Sequence, residues 1–171
     1  MSNVSAGQDL VKIDDYESVE MVSVGSSIWS DTYETTIYKP KGNGPFPVVI
    51  ISHGKSYGDP RSSGRARFQI PAAEFLRMGY VVFIPMRSGY SKSSGTYSES
   101  NCNSRYDISQ QAESLQDYLN AIKTRSYVDP SNILIVGQSY GGFIAVAMSD
   151  FSNIGVKGIV NFSGGFRYEG Y

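Results

Sequence analysis

The stretch ILIVGQSYGGFIAVA, residues Ile133–Ala147, contains two apolar segments separated by a glycine-flanked serine. The first segment has the length and the β-branched content of a buried strand, and the second predicts a helix that begins near Tyr140. Between them, Gly137-Gln138-Ser139-Tyr140-Gly141 forms a G-x-S-x-G motif. This motif indicates a nucleophile elbow when it follows a buried strand and opens a helix. The stretch therefore predicts a strand–turn–helix unit that presents Ser139 as a nucleophile.

The glycines of this motif have a steric role. So sharp a turn strains the backbone of Ser139 and leaves no room for side chains at Gly137 and Gly141. The turn would raise the Ser139 hydroxyl above the carboxyl end of the sheet and direct the free N–H groups of the helix toward a developing oxyanion. We expect the backbone N–H of Tyr140 to be the first oxyanion donor. A serine in an ordinary strand-to-helix turn is the alternative interpretation.

The rest of the chain alternates strands and helices. Four runs are apolar on both faces, which is typical of parallel strands covered by helices. They are VVIIS at Val48–Ser52, YVVFIP at Tyr80–Pro85, ILIVG at residues 133–137 and VKGIVNFSGG at Val156–Gly165. Two strands with mixed polar and apolar residues, Glu17–Val24 and Thr32–Tyr38, precede them.

Two predicted helices separate these strands. A short one lies around Pro71–Met78, and a longer one after Asp107 carries one apolar stripe. The stripe consists of Ile108, Ala112, Leu115, Leu119 and Ile122. We expect Asp107 to cap this helix, with Gln110 at the capping-box position. The order of elements predicts an α/β protein, a three-layer α/β/α sandwich with a mainly parallel, doubly wound sheet and an antiparallel N-terminal edge.

Length and composition restrict the function further. The 171 residues fit a single domain, 1–171, in which residues 1–16 form a flexible N-terminal segment. A formal net charge of −1 gives no basic excess for nucleic acid or an anionic membrane. The sequence shows no signal peptide and no apolar run long enough to span a bilayer. We therefore expect a soluble protein that is cytoplasmic by default. A precursor that was exported and then trimmed is the alternative. Only one histidine and one cysteine, His53 and Cys102, are present, so neither a Cys/His metal site nor an internal disulfide is expected, and no cofactor is implied.

His53 and Gly54 directly follow the strand VVIIS. His53 is either the catalytic base, a histidine bonded at a strand end, or part of an oxyanion loop. The base follows the nucleophile along the chain in hydrolases that have this elbow, which favours the oxyanion loop. The second oxyanion donor is then the backbone N–H of Lys55, or alternatively of Ser56.

Four segments carry a family resemblance. They are PFPVVIISHG, GYVVFIPMRSGYSKSSG, DPSNILIVGQSYGG and VKGIVNFSGG, in that order. From about Val19 to Gly165 the chain resembles the α/β-hydrolases, and within them the dienelactone-hydrolase-like and prolyl-oligopeptidase-like serine hydrolases. The resemblance implies hydrolysis through an acyl-enzyme on Ser139. A dienelactone hydrolase proper is expected to have cysteine at this position, which argues against that particular activity.

The resemblance also implies a catalytic acid and a histidine on strands beyond the last one predicted here. Asp129 and Asp150 lie at positions that do not match that acid. We therefore expect a domain truncated after the sixth strand, with the acid and the histidine beyond residue 171 and little or no turnover from residues 1–171. Since the last strand would expose an apolar edge, the chain is either a fragment or carries a partner or a second copy on that edge.

The serine-rich loop Met86–Arg105 follows the second apolar strand. Ligands of such sheets bind outside the carboxyl ends of the strands, so Arg87, Tyr90 and Tyr97 either line a substrate cleft or are solvated loop residues. Cys102, in the same loop, is either a free thiol or the partner of a cysteine outside this sequence.

The expected function is a serine hydrolase that cleaves small carboxylic esters. Only a short segment precedes the predicted sheet, whereas peptidases of the prolyl-oligopeptidase type usually carry a large additional N-terminal domain. Such a peptidase, acting on a peptide substrate, is the first alternative. A non-catalytic, hydrolase-like binding module is the second.

Overall fold

The computed structural model describes residues 12–25, 30–98, 104–151 and 155–165. Over these residues the strands are β1 Glu17–Gly25, β2 Ser30–Tyr38, β3 Phe46–Ser52, β4 Val81–Pro85, β5 Val128–Gln138 and β6 Val156–Phe162. The helices are α1 Gln69–Arg77, α2 Ser104–Lys123 and α3 Tyr140–Ala147. No helix within the described ranges is both long enough and apolar enough to cross a membrane.

The strands form one sheet in the order β1-β2-β4-β3-β5-β6. The pairs β1–β2 and β2–β4 are antiparallel, and the pairs β4–β3, β3–β5 and β5–β6 are parallel. This order confirms the mainly parallel sheet with an antiparallel N-terminal edge. The chain adds β4 on one side of β3 and then β5 on the other, so it reverses direction across the sheet at β3. In doubly wound sheets, ligands bind at such a reversal.

Helices cover both faces of the sheet because successive strand residues point to opposite sides. Val48 and Ile50 of β3 face α2 and α3, while Val49 and Ile51 face α1. The side chains of β5 alternate in the same way, and those of Ile133 and Ile135 point toward α2 and α3. The five residues of the predicted helical stripe are all buried, which confirms the apolar face of α2. The three-layer sandwich follows from these two alternating sets.

Several boundaries differ from the sequence predictions, most of them by one to three residues. Strand β5 begins at Val128 rather than Ile133, because Phe46 pairs with Val128 across an irregularity in the register. Helix α2 begins at Ser104, so Asp107 lies inside its first turn, where it is buried, and is not its N-cap. Ile13–Tyr16, at the end of the segment that we expected to be flexible, form a 3-10 turn that packs on the α1 side. Residues 1–11 and Cys102 lie outside the described residues.

Candidate active site

The carboxyl ends of β3 and β5 lie side by side. Ser52 pairs with Gly137 in the parallel ladder between these strands. His53 and Gly54 follow the first of these residues, and Ser139 follows the second. The pairing therefore brings two motifs together that are far apart in the sequence.

Ser139 adopts a strained backbone conformation, with φ 54° and ψ −122°. A positive φ is uncommon for residues other than glycine and persists only where the surroundings enforce it. Here the N–H of Ser139 donates to the carbonyl of Phe162 at 2.9 Å, and its carbonyl accepts from the N–H of Gly142 at 2.8 Å. The end of β6 and the start of α3 thus hold the turn in place.

The glycines on each side of Ser139 occupy positions with no space for a side chain. A Cβ at Gly137 would lie 2.0 Å from the carbonyl oxygen of Gly141, and a Cβ at Gly141 would lie 2.2 Å from that of Ser52. A Cβ at Gly142 would lie 2.2 Å from Oδ1 of Asn161. This close approach, together with the conformation of Ser139, is the geometry that the G-x-S-x-G motif predicts.

Tyr140 is the first residue of α3. The first N–H groups of a helix have no carbonyl one turn earlier to accept their hydrogen bonds, and the helix dipole favours negative charge there. The N–H of Tyr140 directly follows the Ser139 backbone, so it is a suitable donor for an oxyanion formed at Ser139.

The imidazole of His53 is buried and bonded through both ring nitrogens. Nδ1–H donates to the carbonyl of Gly54 at 2.8 Å, and Nε2 accepts from the backbone N–H of Arg87 at 3.0 Å. Burial, reinforced by the positive charge of Arg87, lowers the pKa of His53 to about 3. Since neither nitrogen is open to a proton from Ser139, the interpretation of His53 as catalytic base does not fit this geometry.

Gly54 packs directly against the elbow. A Cβ at this position would lie 2.7 Å from Oε1 of Gln138 and 3.1 Å from Cβ of Ser139. Lys55 follows with an exposed side chain whose ammonium group lies 5.9 Å from the ring centroid of Tyr97. We call His53–Lys55 the oxyanion loop, after the role that the sequence predicts for it. The backbone of Gly54 in this loop lies beside Ser139.

Arg87 and Tyr90 do not line an open cleft, which corrects the expectation for these two residues. They are 5% and 0% exposed. The Arg87 guanidinium donates to the carbonyl of Gly54 at 3.0 Å. The central carbon of the guanidinium, Cζ of Arg87, lies 4.8 Å from the ring centroid of Tyr90 and 5.2 Å from that of Tyr140. Burial lowers the pKa of Arg87 to about 10, so it remains charged at neutral pH. Tyr97 is half-buried and packs edge-on against Tyr90.

Two further residues join or shape loops around the site without any signal in the sequence. Arg61 donates to the backbone carbonyls of Ser93 and Gly95, which joins the segment after the oxyanion loop to the serine-rich loop. Asn161 bonds both the N–H and the carbonyl of Gly164, which shapes the turn after β6. A motif could not reveal the Arg61 contacts because they span more than thirty positions of the chain.

The two carboxylates weighed from the sequence, Asp129 and Asp150, are not placed for catalysis. Oδ1 of Asp129 accepts hydrogen bonds from the N–H and the hydroxyl of Ser131. Asp150 is exposed at the end of a 3-10 turn after α3. Among residues 12–25, 30–98, 104–151 and 155–165, no group of three or more His, Cys, Asp or Glu side chains is arranged to hold a metal ion.

The family model described as X-Pro dipeptidyl-peptidase (S15 family) matches residues 31–170 of this chain. This range includes the whole oxyanion loop and the elbow. A search of curated proteins found no match.

Solved structures of the same fold include several hydrolases. The alpha/beta hydrolase GrgF from Penicillium sp. sh18 is 22% identical with a TM-score of 0.61, covering 83% of this chain and 44% of that one. DcsB in complex with its substrate analogue is 24% identical with a TM-score of 0.60, covering 82% and 43%. Porphyromonas gingivalis dipeptidyl peptidase 4 is 22% identical with a TM-score of 0.58, covering 85% and 20%. The chain therefore has the α/β-hydrolase fold and spans less than half the length of these proteins.

Proposed function

Since the chain belongs to the X-Pro dipeptidyl-peptidase (S15) family of α/β-hydrolases, we propose that it is a serine hydrolase that forms an acyl-enzyme on Ser139. The observation that carries the proposal is the φ of 54° at Ser139, enforced by glycines at positions 137 and 141 that tolerate no side chain. A strained serine at the start of a helix and at a reversal of the sheet is the arrangement that acyl transfer requires.

In the proposed reaction, Oγ of Ser139 attacks the carbonyl carbon of the substrate. The N–H groups of Tyr140 and Lys55 stabilise the tetrahedral oxyanion. The leaving group departs with a proton, and water then hydrolyses the acyl-enzyme. An acid and a histidine from outside residues 1–171 would move these protons, because an unassisted serine hydroxyl is a weak nucleophile near neutral pH.

We propose small carboxylic esters as the substrates. An alcohol leaves the tetrahedral intermediate with less help from a general acid than an amine does, so ester cleavage makes the smaller demand on proton transfer. A peptidase acting on X-Pro peptides is the second candidate, and the family match over residues 31–170 supports it. Both candidates use the same nucleophile and the same oxyanion donors.

A fluorophosphonate probe tests the role of Ser139. We expect slow covalent labelling of the purified chain at Ser139, because the proposed catalytic histidine lies outside residues 1–171. Mass spectrometry locates the label, which should be lost in Ser139→Ala. Ser163→Ala is the matched control, because Ser163 is an exposed serine that also has a positive φ of 59°. Labelling that persists in Ser139→Ala, or that never occurs, would contradict the proposal and favour a hydrolase-like binding module.

The substrate class needs a second measurement. Release of p-nitrophenol from p-nitrophenyl acetate, compared with release of p-nitroaniline from Ala-Pro-p-nitroanilide, separates an esterase from an X-Pro peptidase. From residues 1–171 we expect at most a slow, stoichiometric release with the ester and little subsequent turnover, because the base that activates Ser139 is missing from this segment. Sustained turnover that depends on Ser139 would contradict the proposed need for an acid and a histidine from elsewhere.

A further inference from the structure

The carbonyl oxygen of Gly54 accepts hydrogen bonds from two buried side chains. Nδ1–H of His53 donates at 2.8 Å, and Nη2–H of Arg87 donates at 3.0 Å. The guanidinium is charged, and hydrogen bonds from charged donors are about twice as strong as those between neutral groups. The orientation of this carbonyl is therefore fixed from the protein interior.

This carbonyl belongs to the same peptide group as the N–H of Lys55. In a trans peptide the C=O and the N–H lie in one plane and point in opposite directions. A carbonyl that points inward, toward His53 and Arg87, therefore directs the Lys55 N–H away from them. Gly54 packs against Cβ of Ser139, so the peptide that is fixed in this way lies at the candidate nucleophile.

Arg87 is itself held in place at the end of β4. Its backbone N–H donates to Nε2 of His53 at 3.0 Å, so the same residue also orients the second donor to Gly54. The rings of Tyr90 and Tyr140 flank its guanidinium. Two contacts of one residue, one from its backbone and one from its side chain, thus converge on the oxyanion loop.

We propose that Arg87 is a positioning residue that orients the Gly54–Lys55 peptide, so that the Lys55 N–H serves as the second oxyanion donor. The inference rests on the proposed function, because only a reaction at Ser139 creates an oxyanion. It differs from a role in which Arg87 binds a negatively charged part of the substrate. A guanidinium that is 5% exposed and bonded to the backbone is directed toward the loop and not toward solvent.

The rate of phosphonylation at Ser139 by an uncharged fluorophosphonate, measured against probe concentration, tests this role. We expect Arg87→Met to lower the limiting rate constant about 10- to 100-fold. This is less than the effect of removing an oxyanion donor altogether, because the Lys55 N–H remains and only its orientation is affected. The half-saturating probe concentration should change little. Arg87→Lys keeps a charged donor and is expected to recover part of the rate. Arg61→Met is the matched control, because Arg61 also donates to backbone carbonyls of neighbouring loops but does not contact Gly54.

A second readout examines the hydrogen bond directly. The carbonyl carbon of Gly54, labelled with ¹³C, should shift upfield in Arg87→Met and remain unchanged in Arg61→Met. An Arg87→Met protein that is labelled as fast as wild type would overturn the proposal, as would an unchanged carbonyl shift in that variant. A higher half-saturating concentration with an unchanged limiting rate would overturn it in favour of substrate binding. If wild type is not labelled at all, the proposed function fails, and the carbonyl shift still decides whether Arg87 fixes this peptide.

Discussion

At the residue scale, the environment of His53 determines its chemistry. A histidine usually titrates near pH 6.5, but this one is buried and bonded as the neutral Nδ1–H tautomer. Protonation of Nε2 would break its bond to the N–H of Arg87 and place a second positive charge beside the guanidinium. The residue therefore acts as a rigid connector between the oxyanion loop and β4.

This environment predicts a specific pH dependence of stability. The pKa of His53 is lowered to about 3 in the folded protein and is about 6.5 in the unfolded chain. Between these values the unfolded state binds more protons, so the free energy of unfolding is unaffected above pH 6.5 and falls as the pH drops below it. From pH 6.5 to pH 5 this amounts to about 2 kcal/mol.

Urea denaturation at several pH values checks this prediction against His53→Gln, which cannot be protonated in this range. We expect the wild-type protein to lose stability more steeply than the variant below pH 6.5. His53 is the only histidine in the sequence, so its ring signals in NMR spectra are unambiguous. Ring signals that titrate near pH 6.5 in the folded protein would show that the prediction is wrong.

At the scale of the element, the β5–Ser139–α3 unit is stabilised by close backbone contacts. Strand β5 and helix α3 join through one strained residue, and Gly137 and Gly141 are in contact across the turn. The backbone of β3 also packs against Gly141, so the turn cannot relax without moving the centre of the sheet. The close packing of Gly137, Gly141 and the backbone of β3 thus maintains the strained backbone conformation of Ser139.

We expect Gly137→Ala to lower the free energy of unfolding by at least about 2 kcal/mol, because the added Cβ would meet the backbone oxygen of Gly141 at 2.0 Å. Urea denaturation of the variant and of wild type measures the difference. Gly64→Ala is the control, since a Cβ there has no heavy atom within 4 Å, and its effect should stay within about 0.5 kcal/mol. Equal stabilities of the two variants would mean that the elbow is less tightly packed than described.

At the scale of the whole molecule, the order of the strands leaves β6 at one edge of the sheet. Val160 and Phe162 on this strand are 47% and 65% exposed. An apolar edge strand with unpaired backbone groups favours pairing with another chain. We therefore propose that further strands of the same protein, a second copy of the chain or another partner covers β6.

Sedimentation velocity at increasing concentration tests whether the partner is a second copy. Val160→Lys should weaken self-association at least about tenfold, because an exposed lysine on an edge strand discourages pairing. Val19→Lys is the matched control, since Val19 is 49% exposed on β1 at the opposite edge and its substitution should have little effect. A monomeric wild-type protein at all concentrations would leave further strands of the same protein, or a different partner, for this edge.

The sequence by itself determined the order of the elements, the alternating faces of the sheet and the elbow at Ser139. Each of these depends on residues near one another in the chain: apolar periodicity, or glycines two positions from a serine. The tertiary structure decided the burial and the hydrogen bonds of Arg87 and His53. The sequence left Arg87 as either a cleft residue or a solvated loop residue, whereas its contacts to His53 and Gly54 cross 34 and 33 positions of the chain. Burial and protonation depend on such long-range neighbours, which form only when β3, β4 and β5 pair into one sheet.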